Sequence, residues 1–206
     1  RLYFLYEFDH SSLAYNMPYV IRMEGMLDVN VLEGSFGQLF SRHEILRTRF
    51  ELWEGSVWQR VESDIDFGLE FYESAEAGID NIVESFVRPF DLARCPLLRV
   101  GLIRVSDQQH FLLIDMHHIV TDGVSTDILV RDFMSLYTGQ ALKALRIQYK
   151  DYACWQQESG QQEQILLQQS FWQQLYCDMP EPLQLPYDYG RPAIRRTEGA
   201  MLQGCF

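Results

Sequence analysis

The apolar run Phe111-Leu112-Leu113-Ile114 is followed almost at once by Met116-His117-His118-Ile119-Val120-Thr121-Asp122-Gly123-Val124-Ser125. The first stretch reads as a buried strand, so the polar stretch must lie at that strand's end. Strand side chains alternate, and only one of two adjacent histidines can face a given side. One can therefore face a cleft while the other packs inward. A neutral imidazole accepts a proton from an attacking amine near neutral pH. Asp122 can orient a histidine or serve as a structural anion paired with an arginine. Gly123 would let a substrate approach the backbone closely at the start of a helix. Acyl transfer to an amine or hydroxyl nucleophile suits this set.

Blander readings of the same residues exist. A lone histidine beside a strand is usually structural, and Asp-Gly is usually a turn. A metal is disfavoured, because neighbouring histidines on a strand point apart and no further His or Cys follows at zinc spacing. Ser125 sits in no Gly-x-Ser-x-Gly nucleophile elbow. Two more clusters stand out. Arg42-His43-Glu44-Ile45-Leu46-Arg47-Thr48-Arg49-Phe50 reads either as a capped, solvated junction or as an ion-pair network reaching a carboxylate such as Asp122. Tyr149, Tyr152 and Trp155 share a helical face, for which plain packing is the favoured reading.

The rest of the chain supplies the scaffold. Residues 17–27 read as a strand, with Asp28 as the N-cap of a helix running from Val29 to Leu46. Thr48–Trp53 and Val57–Val61 form a hairpin through Glu54-Gly55-Ser56. A strand at Phe67–Tyr72 and a helix at about 75–87 follow. Leu97–Val105 and His110–Met116 are strands, and Thr121 or Asp122 caps a helix presenting Ile128, Leu129, Phe133, Leu136 and Tyr137. Helices near 149–158 and 161–176 come next, and the proline-bearing tail from Met179 reads as an extended connection.

With 206 residues, 47% of them hydrophobic, the chain can bury the core of one substantial domain or lobe. No apolar run approaches the roughly 20 residues of a membrane span. A net charge of −12 without a basic block argues against nucleic acid. Cys95, Cys154, Cys177 and Cys205 are widely spaced and read as free thiols in a reducing, cytoplasmic setting. The chain begins at Arg1 and reads as a part of a longer polypeptide.

In order, the three clusters resemble the condensation domain of nonribosomal peptide synthetases. The family's His-His-x-x-x-Asp-Gly motif is matched at His117, His118, Asp122 and Gly123, its arginine-rich motif from Arg42 to Phe50, and its Tyr-x-Asp-Tyr-Ala-x-Trp motif from Tyr149 to Trp155. Arg1-Leu2-Tyr3-Phe4-Leu5 looks like the end of the family's first motif. The resemblance implies an α/β (α+β) chloramphenicol-acetyltransferase-like fold, a mixed sheet flanked by helices. Residues 1–178 would be the N-terminal lobe, and 179–206 an extended connection toward a C-terminal lobe that this chain lacks. It implies amide-bond formation between a donor acyl or peptidyl thioester and an acceptor aminoacyl thioester, with half a tunnel inactive by itself. No cofactor would bind directly, since phosphopantetheine on donor and acceptor carrier proteins bears the substrates, and an adenylation domain would adjoin. His118 takes the catalytic role as base or amine positioner. His117 packs inward, Asp122 pairs with Arg42 or Arg47, and Gly123 keeps the tunnel mouth open. Tyr15-Asn16-Met17-Pro18 and Thr121–Ser125 look like domains that join an L-donor to an L-acceptor. Thr126 replaces the tryptophan of epimerization domains, and His117 the aspartate of heterocyclization domains. An epimerase, a coenzyme-A-dependent acyltransferase and a non-catalytic carrier-docking module are the rivals. Half a tunnel would also expose apolar surface and favour self-association.

Overall fold

The computed structural model describes residues 1–181, 183, 186 and 188–190. Contacts divide the chain into two compact units, Arg1–Cys154 and Trp155–Phe206. Most of the expected 179–206 connection lies outside the described residues.

The first unit opens with helix α1 (Leu2–Phe8), strand β1 (Asn16–Glu24) and helix α2 (Val29–Arg42). Asp28 caps α2 as its residue type predicts, accepting from the amides of Asn30 and Val31. The helix stops at His43, whose extended φ −101°, ψ 100° breaks it four residues before the periodicity would, and a 3-10 turn covers Glu44–Arg47. The hairpin of β2 (Thr48–Trp53) and β3 (Ser56–Val61) turns at Glu54 and Gly55, both with positive φ. Strand β4 (Glu70–Glu73) begins later than expected from residue 67. Phe67 is drawn instead onto α2, its ring 4.7 Å from that of Phe40, and Leu69 donates its amide to Glu33. Helix α3 (Ile79–Phe86), β5 (Leu98–Ser106), β6 (Gln109–His117) and α4 (Gly123–Tyr137) follow, with α5 (Tyr149–Gln156) beginning near the end of the unit. The second unit contains α6 (Ser159–Leu175), where the rings of Trp172 and Tyr176 stack at 5.8 Å.

A mixed sheet, ordered β1-β6-β5-β4, organises the first unit. Strand β6 runs antiparallel to both neighbours, and β4 runs parallel to β5. Even-numbered residues of β5 and β6 face α2 and α4. There Leu98, Val100, Leu102, Leu112 and Met116 pack with Phe36, Leu39, Phe40 and Leu129. Odd-numbered residues face the other way, where Ile103 and Leu113 pack with Phe86 of α3. On that face Gly101 is required by close approach, since a Cβ built there would stand 2.8 Å from the Phe86 ring. In the outer strand β1, Tyr19 and Ile21 border an apolar cavity of ≈ 420 Å³ shared with Val130, Phe133 and Met134 of α4.

Gly101→Ala should therefore lower unfolding free energy in urea by about 1–3 kcal/mol. Gly34→Ala, in α2 with open space around its Cβ position, should be neutral or stabilise by up to about 1 kcal/mol. Equal effects at the two sites would refute the packing argument.

Candidate active site

Strand β6 ends at His117, and the chain turns through Ile119-Val120-Thr121 before Asp122 starts α4. His117 continues the inward-facing series of Leu113 and Asp115 and is 6% exposed. Its Nδ1 accepts the amide of Ile119 at 3.0 Å, which makes Nε2 the protonated nitrogen. Burial, with a smaller contribution from neighbouring His118, pushes its pKa down to about 4. His118 is exposed. Its amide donates to Tyr15 O at 2.8 Å, and its Nδ1 lies 2.8 Å from Thr121 O. A carbonyl only accepts, so Nδ1 carries the hydrogen and Nε2 keeps a free lone pair. The loop is held from below by Val120, buried with Phe50, Phe90, Leu92 and Leu97.

The lid over His117 comes from a network that sequence reasoning did not flag. Asp115 is fully buried and accepts from Asn16 Nδ2 at 2.8 Å, with Arg99 Nε 3.8 Å away. Asn16 also donates to Arg88 O, and Arg99 donates to Pro89 O while lying 3.7 Å from the centroid of the Phe90 ring. Segment Arg88–Phe90 is thereby fastened over the sheet, with Phe90 edge-on to His117. Burial raises the Asp115 pKa and lowers that of Arg99 to about 10. Alternation along β6 was the available signal, since it places a carboxylate on the inward face two residues before His117.

Asp122 does not pair with Arg42 or Arg47. Its carboxylate is turned onto its own helix, accepting from the Ser125 amide at 2.8 Å and the Ser125 hydroxyl at 2.6 Å, bonds that hold its pKa below the usual carboxylate value. The arginines are engaged elsewhere. Arg42 Nε donates to Asp132 Oδ2 at 2.8 Å, and Arg42 also reaches Lys143 O. Arg47 donates to Glu62 O and lies 3.5 Å from Glu44. Asp132, near the middle of α4 and 3% exposed, is thus the carboxylate that binds the arginine-rich segment, and it also contacts His43 Nε2 at 3.0 Å. The helical period of α4 carried that signal, because Asp132 lies beside Phe133 on the helix's approach to α2. Gly123 has open space where a Cβ would stand, so no group among the described residues demands glycine there. Tyr149 and Tyr152 are about half exposed rather than packed away.

His118, Asp122 and Tyr149 share one pocket of ≈ 530 Å³ with His43, Ile45 and Ile147. Among the described residues no cluster of three His, Cys, Asp or Glu side chains could hold a metal ion. No helix there is long and apolar enough to cross a membrane. His118 lines this pocket of largely apolar walls, and its Nε2 lone pair can accept a proton or a hydrogen bond.

Residues 1–203 match the family model described as Condensation domain. The chain belongs to the condensation-domain family. Curated relatives include Surfactin synthase subunit 1 of Bacillus subtilis (strain 168), 43% identical across 97% of this chain and 6% of that protein. Tyrocidine synthase 3 of Brevibacillus parabrevis is 41% identical across 97% of the chain and 3% of its own length. The chain thus spans only a few per cent of these synthetases. Among solved structures, the X-domain from teicoplanin biosynthesis superposes with TM-score 0.76 at 31% identity, covering 88% of this chain and 44% of that one; it is also known in complex with OxyB. The epimerization domain from the third module of tyrocidine synthetase B gives TM-score 0.75 at 25% identity over 92% and 46%. These neighbours share the chloramphenicol-acetyltransferase-like α/β fold.

Two outcomes test this geometry. The depressed His117 pKa means that its stability contribution is complete above its ordinary value of 6.5 and is lost as pH falls toward about 4. A difference of that size is worth about 3 kcal/mol. Urea titrations at pH 7 and pH 4 should show the wild type losing about that much more than His117→Asn, which keeps an acceptor for Ile119. Parallel losses would refute it. In double-mutant cycles, Arg42 and Asp122 should couple by less than about 0.5 kcal/mol, and Arg42 and Asp132 by about 1–3 kcal/mol.

Proposed function

We propose that this chain is the N-terminal lobe of a peptide-bond-forming condensation domain, residues 1–178 being the lobe and 179–206 the way into a second lobe. Its partners are donor and acceptor carrier proteins and an adjacent adenylation domain of the same synthetase. Both substrates ride on carrier phosphopantetheine as thioesters, no cofactor binds the lobe directly, and the setting is cytoplasmic. The observation that carries the reading is the Nδ1 bond of His118 to Thr121 O, which leaves Nε2 as the lone-pair nitrogen of a residue that lines the pocket.

The chemistry follows from that nitrogen. The acceptor's α-amine attacks the donor thioester carbonyl, forming the C–N bond. His118 Nε2 accepts the hydrogen bond of the attacking N–H and takes its proton as the nitrogen becomes positive. Collapse of the tetrahedral adduct breaks the C–S bond, and the leaving thiolate is reprotonated, restoring neutral His118. The product stays on the acceptor carrier, longer by the donor group. His117, buried and neutral, shapes the strand end, while Asp122, Arg42 and Arg47 support the fold around it. Gly123 leaves the pocket mouth open at the start of α4. With Thr126 after Ser125, an L-configured donor joined to an L-acceptor is the favoured subtype.

A docking module is the second reading, favoured by the solved complex of the related X-domain with OxyB. The test uses the complete condensation domain carrying this chain, with loaded donor and acceptor carriers and intact-protein mass spectrometry of the dipeptidyl thioester. Wild type should form product, and His118→Ala should form about 10²–10⁴-fold less. Carrier binding without product, loading being verified, would select the docking module. Product unchanged in the variant would remove His118 from the chemistry.

A further inference from the structure

The pocket that His118 lines holds a second imidazole. Burial separates its lining into levels: His43, Val120, Thr121 and Leu129 are buried at the floor, whereas Ile128, Leu145, Ile147 and Tyr149 stand exposed at the rim. A volume of ≈ 530 Å³ is of the size that takes a small organic group. His43 reaches the floor because it is the residue that ends α2, and it is 8% exposed.

Its two nitrogens have different duties. Nε2 lies 3.0 Å from Asp132 Oδ2, a carboxylate that also takes Arg42 Nε at 2.8 Å and has Arg131 3.4 Å from its other oxygen. Held between two guanidinium groups, Asp132 is ionised and accepts, so His43 Nε2 carries the hydrogen and Nδ1 is the lone pair left for a ligand. Burial lowers the His43 pKa against the pull of Asp132, which keeps the ring neutral. Several other polar side chains of the pocket wall are committed, Asp122 and Ser125 to each other. Gln148 donates to Arg42 O and accepts from the Glu44 amide, and Thr121 Oγ1 contacts Asp122 O and Thr126. At 8% exposure His43 is a buried acceptor among largely apolar walls, whereas His118 is exposed.

We propose that this cavity is a side-chain subsite for one of the two aminoacyl groups, favouring an apolar side chain that ends in an O–H or N–H donor, which His43 Nδ1 accepts. The proposal rests on the reading of the His118 pocket as a substrate site. It makes His43 a specificity-determining residue, since a site built around a buried acceptor rejects an isostere that lacks the donor.

Two variants separate recognition from mere support of Asp132. His43→Gln keeps an N–H where Nε2 stood and removes the Nδ1 acceptor. His43→Asn keeps an acceptor near Nδ1 and removes the donor to Asp132. Calorimetric titration of the complete condensation domain compares tyrosyl- and phenylalanyl-pantetheine amides, which are stable in place of the thioesters. Free-amine forms represent the acceptor and N-acylated forms the donor, and the form that shows the preference identifies the source. Wild type should bind the tyrosyl compound about tenfold more tightly, a difference of one buried hydrogen bond. His43→Asn should keep most of that preference and His43→Gln should lose it. Equal wild-type binding overturns the subsite alone, and does so even where a variant fails to fold. A preference that survives in His43→Gln and vanishes in His43→Asn also overturns it. Failure of the wild type to bind any of the compounds removes the substrate-site reading and the subsite together.

Discussion

Strand β6 is constrained on both sides and on both faces, and the site is the consequence. Its nine residues pair with β1 and β5, and its alternate side chains enter two different environments. Leu112 and Met116 meet the helices α2 and α4, whereas Leu113, Asp115 and His117 meet Phe86, Arg99 and Phe90. A slip of one residue would turn Asp115 into the apolar layer between sheet and helices, far from Arg99 and Asn16. A buried carboxylate without its partners is costly. The register is therefore specified by a charge as well as by apolar pattern. The same slip would exchange the surroundings of His117 and His118. The chemistry of the strand end is thus set by a pairing decision made along its whole length.

The charged residues around that end divide into mechanical groups with separate territories. Asp122 satisfies the first turn of its own helix and needs no cation. Asp132, ten residues later, fastens the end of α2 to the middle of α4 through Arg42 and His43. Apolar contact completes the same junction, with the rings of Phe36 and Phe133 4.5 Å apart. Because α4 is anchored by its middle, its N-terminus and the loop before it are held without an arginine beside His118. A guanidinium at Asp122 would have placed positive charge next to His118.

Much of this was legible in residue pattern. Two-residue alternation and turn residues announced β1, the β2–β3 hairpin, β5 and β6, and Asp28 and Asp122 were recognisable as caps. The failures have local causes. Helix α1 has no side-chain cap and no buried residue, so Leu2–Phe8 shows neither a cap nor an amphipathic stripe. The end of α2 was read too late because Leu46 falls on the helical period, although a 3-10 turn delivers it to the core. Ion pairing was the least legible feature. Asp122 and Asp132 are the same residue type on one helix, and only the crossing of α2 and α4 decides which of them Arg42 meets.

Three histidines near one loop are kept neutral or directional by three different means, and the differences explain why one of them is suited to proton transfer. The Ile119 amide can only donate, so His117 presents Nδ1 to it and carries its hydrogen on Nε2. Asp132 can only accept when ionised, so His43 gives it the Nε2 hydrogen. The Thr121 carbonyl can only accept, so His118 gives it the Nδ1 hydrogen and leaves Nε2 open. Burial makes a charge on His117 or His43 costly, whereas His118 stands in water. A base must hold its lone pair toward the nucleophile and also tolerate the positive charge it acquires. Of the three, His118 alone is exposed to water, and its ring is set by a backbone carbonyl three residues away.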